Sequence, residues 1–141
     1  MKKPCTAKHK NLYIRIENKN MAKVFLGGVR EASAWRLKVI PKLKIEYTDP
    51  KVGTDTQEDC DFLLYVITPN MIGFELIPNL IDASNKKPEK TLYCAIFEEG
   101  SKAFSAHQRK SLEAVGKMVE RNGGRWLKSL DEVVDFLNSY E

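Results

Sequence analysis

Apolar and polar positions along the 141-residue chain change period several times, and each change marks an element. Residues 12–17 alternate strictly, Leu12, Ile14 and Ile16 against Tyr13, Arg15 and Glu17, the pattern of a short edge strand with one buried face. Residues 22–26 form a compact apolar strand that stops at Gly27 and Gly28. The period then lengthens. Trp35, Val39 and Leu43 recur at helical spacing, and Ser33 is placed to cap a helix over 33–43 that Pro41 bends or ends. A brief second strand follows at 44–47, and the polar stretch 49–59, with Pro50 and Gly53, predicts a loop. Residues 61–67, DFLLYVI, give the strongest strand signal, apolar on both faces as a central parallel strand must be. Thr68, Pro69 and Asn70 end it, and Pro78 suits the first turn of a helix over 78–84. Residues 91–97 predict another strand buried on both faces. A long amphipathic helix over 105–122 keeps Leu112, Val115 and Val119 on one side and closes at Gly123 and Gly124. A short strand at 125–127 precedes the capping box Ser129-Leu130-Asp131-Glu132, which opens a last helix through residue 137.

Strands alternating with helices build βαβ units, so the fold class is α/β. Five strands fit a flavodoxin-like or Rossmann-like three-layer sandwich with a parallel sheet in the order 2-1-3-4-5. The chain divides into an arm over 1–20 and one domain over 21–141. Ligands of such sheets bind beyond the carboxyl ends of the strands, near the switch point. That selects Gly27-Gly28, Thr68-Pro69-Asn70 and Glu98-Glu99.

Charge changes the picture only through its placement. The net charge of +4 suggests a nucleic-acid binder. Yet residues 1–23 hold seven basic side chains, among them Lys2, Lys3, Lys8 and Lys10, and one acid, Glu17. The remainder has 16 basic and 18 acidic residues, a net −2, so the basicity belongs to the arm and nucleic acid is not the expected partner. No aromatic-basic stripe points there either. Cys5, Cys60 and Cys94 form no CxxC pair, and Cys5 with His9 is at most half a metal site, so no metal or other cofactor is expected. Three unpaired thiols suit a reducing compartment, here the cytoplasm. No membrane partner is expected, because the longest strongly apolar run is 62–67 and no apolar stretch follows the basic start as in a signal peptide.

Gly27-Gly28 allows close backbone approach but is neither GxGxxG nor a P-loop. It serves either a ligand or only a tight turn. His9 and His107 are poorly placed for a nucleophile triad. Carboxylates remain. Glu75, just past the strongest strand, is either a nucleophile or ligand anchor or an exposed loop acid. Asp49 follows the second strand and is within reach of the site. Asp61 begins the central strand and reads as structural, and Glu98 and Glu99 read as solvated.

The segments KVFLGG (23–28), ASAWR (32–36), DFLLYVITPNMIGF (61–74) and IDASNKKPEKTLYC (81–94) resemble the nucleoside 2-deoxyribosyltransferase-like family, most closely its short bacterial and phage branch. The similarity runs over about 23–124, and the strand-turn stretch LYVITPxM is its most specific part. The resemblance implies a flavodoxin-like fold and cleavage or transfer of the N-glycosidic bond of deoxyribonucleosides. It implies a glutamate that attacks C1′ to give a covalent deoxyribosyl-enzyme, a retaining course. It also implies a nucleoside or nucleotide ligand, a homo-oligomer and, for a phage protein, the host cytoplasm.

The chain departs from the family pattern at the nucleophile. Where the short branch reads roughly SIAE, the glutamate position holds Asn79, preceded by Pro78. Phe74-Glu75-Leu76 imitates the FELG of the longer branch, but closer to Gly73. The loop between Asp49-Pro50, which stands for the family's NP turn, and Asp61 is also shorter than the family's. Two readings result. In one, Glu75 is the nucleophile, Asn79 assists, and Gly27, Gly28, Trp35, Asp49, Thr68, Asn70 and Met71 hold sugar and base. In the other, the protein binds or sequesters a nucleoside or nucleotide without turnover. A partner-binding module is the third class.

Overall fold

A computed structural model of the chain describes residues 22–30, 33–49 and 57–140. The expected edge strand over 12–17, the whole arm over 1–20 and residues 50–56 of the loop lie outside the described residues. The elements in chain order are β1 (Lys23–Gly28), α1 (Trp35–Val39), β2 (Glu46–Thr48), β3 (Phe62–Ile67), α2 (Leu76–Lys86), β4 (Thr91–Ala95), β5 (Glu98–Glu99), β6 (Lys102–Ala103), α3 (Ala106–Arg121), β7 (Arg125–Trp126) and α4 (Leu130–Asn138). Five strands form one parallel sheet in the order β2-β1-β3-β4-β7. This is the expected 2-1-3-4-5 arrangement, with β7 as its fifth strand.

β1 and β3 are buried on both faces because helices cover both sides of the sheet. On one side Val24, Leu26, Leu64 and Val66 meet Trp35 and Val39 of α1 and Val133 and Leu137 of α4. On the other, Phe25, Leu63, Tyr65 and Tyr93 meet Leu80 of α2 and Leu112 and Val119 of α3. The period-2 alternation of each central strand therefore feeds two cores. The Asp61 carboxylate accepts from the Lys23 backbone N–H at 2.9 Å, which makes Asp61 structural, as expected.

Local chemistry moves several boundaries. The helix expected over 33–43 is short: α1 ends at Val39, and Pro41 lies in a following 3-10 turn over Ile40–Lys42. Ser33 does not cap it. The N-cap is Ala34, whose N–H goes to Glu99. The helix expected from Pro78 begins at Leu76 and reaches Lys86, with Pro78 in the first turn, where its missing N–H has no helical partner to lose. The strand expected over 91–97 stops at Ala95, and the next residues turn into the β5–β6 hairpin, which has no periodic signal at two residues per strand. Ser129 caps α4 through the Glu132 N–H, but the Glu132 carboxylate reaches back to Lys128 rather than to Ser129. The full reciprocal box is Ser105 with Gln108, at the start of α3. Among the described residues no helix is long and apolar enough to cross a membrane.

Candidate functional site

β1 and β3 run side by side, with Gly27 opposite Tyr65 and Gly28 opposite Val66. Both glycines belong to β1, and Gly28 is its last residue. Gly28 has φ 134°, a conformation that side chains oppose. A Cβ there would meet the Val66 carbonyl oxygen at 2.6 Å and the Trp35 ring at 3.0 Å. Gly28 thus admits the tryptophan that packs beneath it. Gly27 leaves the other face of the sheet bare between Phe25 and the strand end.

A cleft of about 670 Å³ opens on that bare face, between the end of β1 and the length of α2. Gly27, Gly28, Arg30, Arg36, Glu75 and Asn79 line its end near the carboxyl termini of the strands, and Lys86 and Lys87 line the far end of α2. An adjoining recess of about 190 Å³ is lined by Met71, Gly73, Glu75 and Arg30. Glu75 and Asn79 are joined as one helical turn: the Asn79 N–H donates to the Glu75 carbonyl at 3.2 Å. Glu75 is the N-cap of α2, yet its carboxylate makes no cap bond. Among the described residues no side chain bonds to it. The other acid on the cleft, Asp82, pairs with Lys86 at 3.2 Å. Cys94 is buried, and burial first, then the Glu132 charge, pushes its thiol up to about 12, so it is no nucleophile at neutral pH.

The remaining expected ligands of substrate stand behind the lining. Trp35 is fully buried and donates its ring N–H to the Val29 carbonyl at 2.9 Å, so it presents no surface to the cleft. Asp49 holds two arginines through one oxygen, Arg30 at 2.7 Å and Arg36 at 2.9 Å. Arg36 also donates to the carbonyls of Val29 and Leu26. Its guanidinium is held below its ordinary value by burial and by the neighbouring Arg30 charge, against the pull of Asp49. Thr68 is fully buried and accepts from the Asn70 N–H at 3.2 Å.

Asn70 leads to a residue the sequence reading set aside. Its side-chain amide donates to Glu99 at 2.6 Å. The second Glu99 oxygen accepts from the Ser33 hydroxyl and the Ala34 N–H, each at 3.0 Å. Partial burial pushes the Glu99 carboxyl up, but hydrogen bonds from Asn70, Ala34, Thr68 and Ser33 outweigh it and hold the group below its ordinary value. Glu99 is therefore bonded rather than merely solvated. Arg30 and Arg36 were missed as site residues, and Glu99, selected by its place after a strand, was set aside as solvated. Arg30 carries a weak signal, a cation two residues beyond Gly28. The bonding of Glu99 carries none, since its partners lie 29 to 66 residues away.

The arrangement offers a carboxylate without a partner among the described residues, an amide and cations around a floor of Phe25, Leu63 and Tyr65 that is bare at Gly27. Among the described residues no group of three or more metal-ligating side chains is present. Comparison of this chain with protein-family models, curated proteins and solved structures finds no match.

Proposed function

We propose that the cleft binds a deoxyribonucleoside or its nucleotide and that Glu75 cleaves or transfers the N-glycosidic bond. The observation that carries this reading is the Glu75 carboxylate. It is exposed on the cleft wall, without a partner among the described residues, at the strand ends where α/β sheets bind ligands. The resemblance of KVFLGG and LYVITPxM to the deoxyribosyltransferase-like family supports the same assignment. In the proposed reaction a Glu75 oxygen attacks C1′, and the electron pair of the glycosidic bond leaves with the base, which takes a proton from water. Water or a second base then attacks C1′ and releases Glu75, so configuration is retained. The bare glycine floor admits a sugar ring close to β1, and Arg30 suits an anionic substituent. A second copy completing the open side follows from the same resemblance, with Ile72 and Phe74 exposed beside the recess.

Asn79 favours a second reading. It stands where the family's glutamate is expected, and an amide cannot attack C1′. The protein then binds the ligand without turning it over.

Incubation with deoxynucleosides and deoxynucleotides, with and without a free acceptor base, followed by chromatography, separates the two. Free or exchanged base that disappears in Glu75→Ala supports the transferase. Base release that survives Glu75→Ala removes Glu75 from the role. No turnover with strong thermal stabilisation by a nucleotide supports the binding protein.

A further inference from the structure

The cleft has two walls that come from different parts of the chain. One is the end of β1 with Arg30, and the other is the turn after β3 that leads through Met71 and Gly73 to Glu75. Behind them, hydrogen bonds gathered by Glu99 join the two walls. Glu99 grips the second wall through Asn70 at 2.6 Å. It grips the start of α1 through Ser33 and Ala34, each at 3.0 Å. α1 in turn holds the first wall, because Trp35 and Arg36 both donate to the Val29 carbonyl at 2.9 Å, one residue before Arg30. Glu99 itself sits in β5, paired to β6 and standing outside the sheet that forms the floor.

We propose that Glu99 is a positioning residue: its carboxylate sets the gap between the Arg30 wall and the Glu75 wall of the cleft. This rests on the reading of Glu75 as the reacting group. A carboxylate suits the task because it is acceptor-only, and each of the groups around it brings a donor. The bonds are charge-assisted, and they are shorter and stronger than neutral ones. Gln at this position keeps most of the clasp. Its oxygen can face Ser33 and Ala34 while the Asn70 amide turns to present oxygen to its NH₂. Ala removes both grips. A reacting atom misplaced by about 1 Å loses about a hundredfold in rate.

The test compares wild type, Glu99→Gln, Glu99→Ala and Asn70→Ala by base release, thermal melting and amide exchange well below Tm. Glu99→Ala is expected to lower kcat about a hundredfold while KM changes by less than about threefold, with Glu99→Gln within about threefold of wild type in both. The amides of Leu37, bonded to Ala34, and Met71, bonded to Thr68, report the two grips. Both are expected to exchange at least about tenfold faster in Glu99→Ala, and Met71 alone in Asn70→Ala. Asn70→Ala also stands in for Glu99→Ala should that variant fail to fold. A kcat for folded Glu99→Ala equal to wild type overturns the proposal, as does unchanged exchange at both amides. Should wild type release no base, the proposed reaction falls and exchange alone decides: joint release of Leu37 and Met71 keeps the clasp, and its absence overturns it.

Discussion

Gly28 concentrates the physical demands of the site in one residue. Its φ of 134° and the 2.6 Å that would separate a Cβ from the Val66 oxygen both exclude any other residue without movement of backbone. Strain of this kind costs about 1–3 kcal/mol before the clash with Val66 and Trp35 is counted. Gly28→Ala is therefore expected to destabilise the fold by about 3 kcal/mol or more, read as a lower urea midpoint at unchanged slope. Arg30 makes a different demand. Its guanidinium is about half exposed and shares the Asp49 carboxylate with Arg36 at the cleft end. On the nucleotide reading, Arg30→Gln weakens binding of a deoxynucleoside 5′-monophosphate about tenfold, or about 1.4 kcal/mol, and leaves the unphosphorylated nucleoside unchanged. Titration calorimetry with the two ligands at one salt concentration checks this. Equal loss for both would place the phosphate elsewhere.

At the scale of elements, hydrogen bonds gathered by Glu99 tie the hairpin, the β3–α2 turn and α1 into one unit. Their effect has a definite pH sign. The folded carboxyl lies below its ordinary value of 4.5, because the bonds favour the charged form. Glu99 therefore contributes stability that is present in full above about pH 4.5 and is lost as pH falls through the lower folded value. Glu99→Gln has no such group, so the difference in stability between wild type and variant is expected to shrink as pH drops from 6 to about 3. Denaturant titrations at several pH values measure it, and a constant difference would contradict the assignment. This unit was also the least legible part of the sequence. β1, β3 and α3 announce themselves by period, since double burial demands apolar runs and one-sided burial demands a 3.6-residue repeat. The β5–β6 hairpin has two residues per strand and no period to show. Glu99 follows Glu98 in a polar turn, and only folding brings Ser33 and Asn70 to it. Gly27, Gly28 and Glu75 were legible as candidate-site residues from their place at the ends of strands whose direction was readable, and Asn79 from the family resemblance. Trp35 was legible as important, but its full burial makes it core rather than lining.

For the whole molecule, strand order and the doubly covered sheet follow from alternation along the chain, whereas the surface that would complete the cleft does not. Ile72 and Phe74 flank Gly73 beside the recess and are 76% and 67% exposed. On the oligomer reading both pass from water into a contact with a second copy. Burying a side chain of this size yields about 1.5–3 kcal/mol. In a two-fold contact four such side chains are buried, a gross gain of about 6–12 kcal/mol. Association costs about 4–15 kcal/mol in lost freedom. At the favourable end of both ranges, about 12 against about 4 kcal/mol, this pair by itself supports a concentration-dependent dimer no tighter than micromolar. Its dissociation should appear in the micromolar to millimolar range, where the standard free energy is about −8 to −4 kcal/mol. Sedimentation of wild type across that range is expected to show a rising average mass, and Ile72→Lys with Phe74→Lys is expected to hold the chain as a monomer at every concentration. Because the open side of the cleft is then left to water, the double variant is also expected to weaken nucleotide binding while its Tm stays near that of wild type. A wild type that sediments as a monomer throughout, or a double variant that binds nucleotide as wild type does, would assign Ile72 and Phe74 to no subunit contact and leave the cleft complete within one chain.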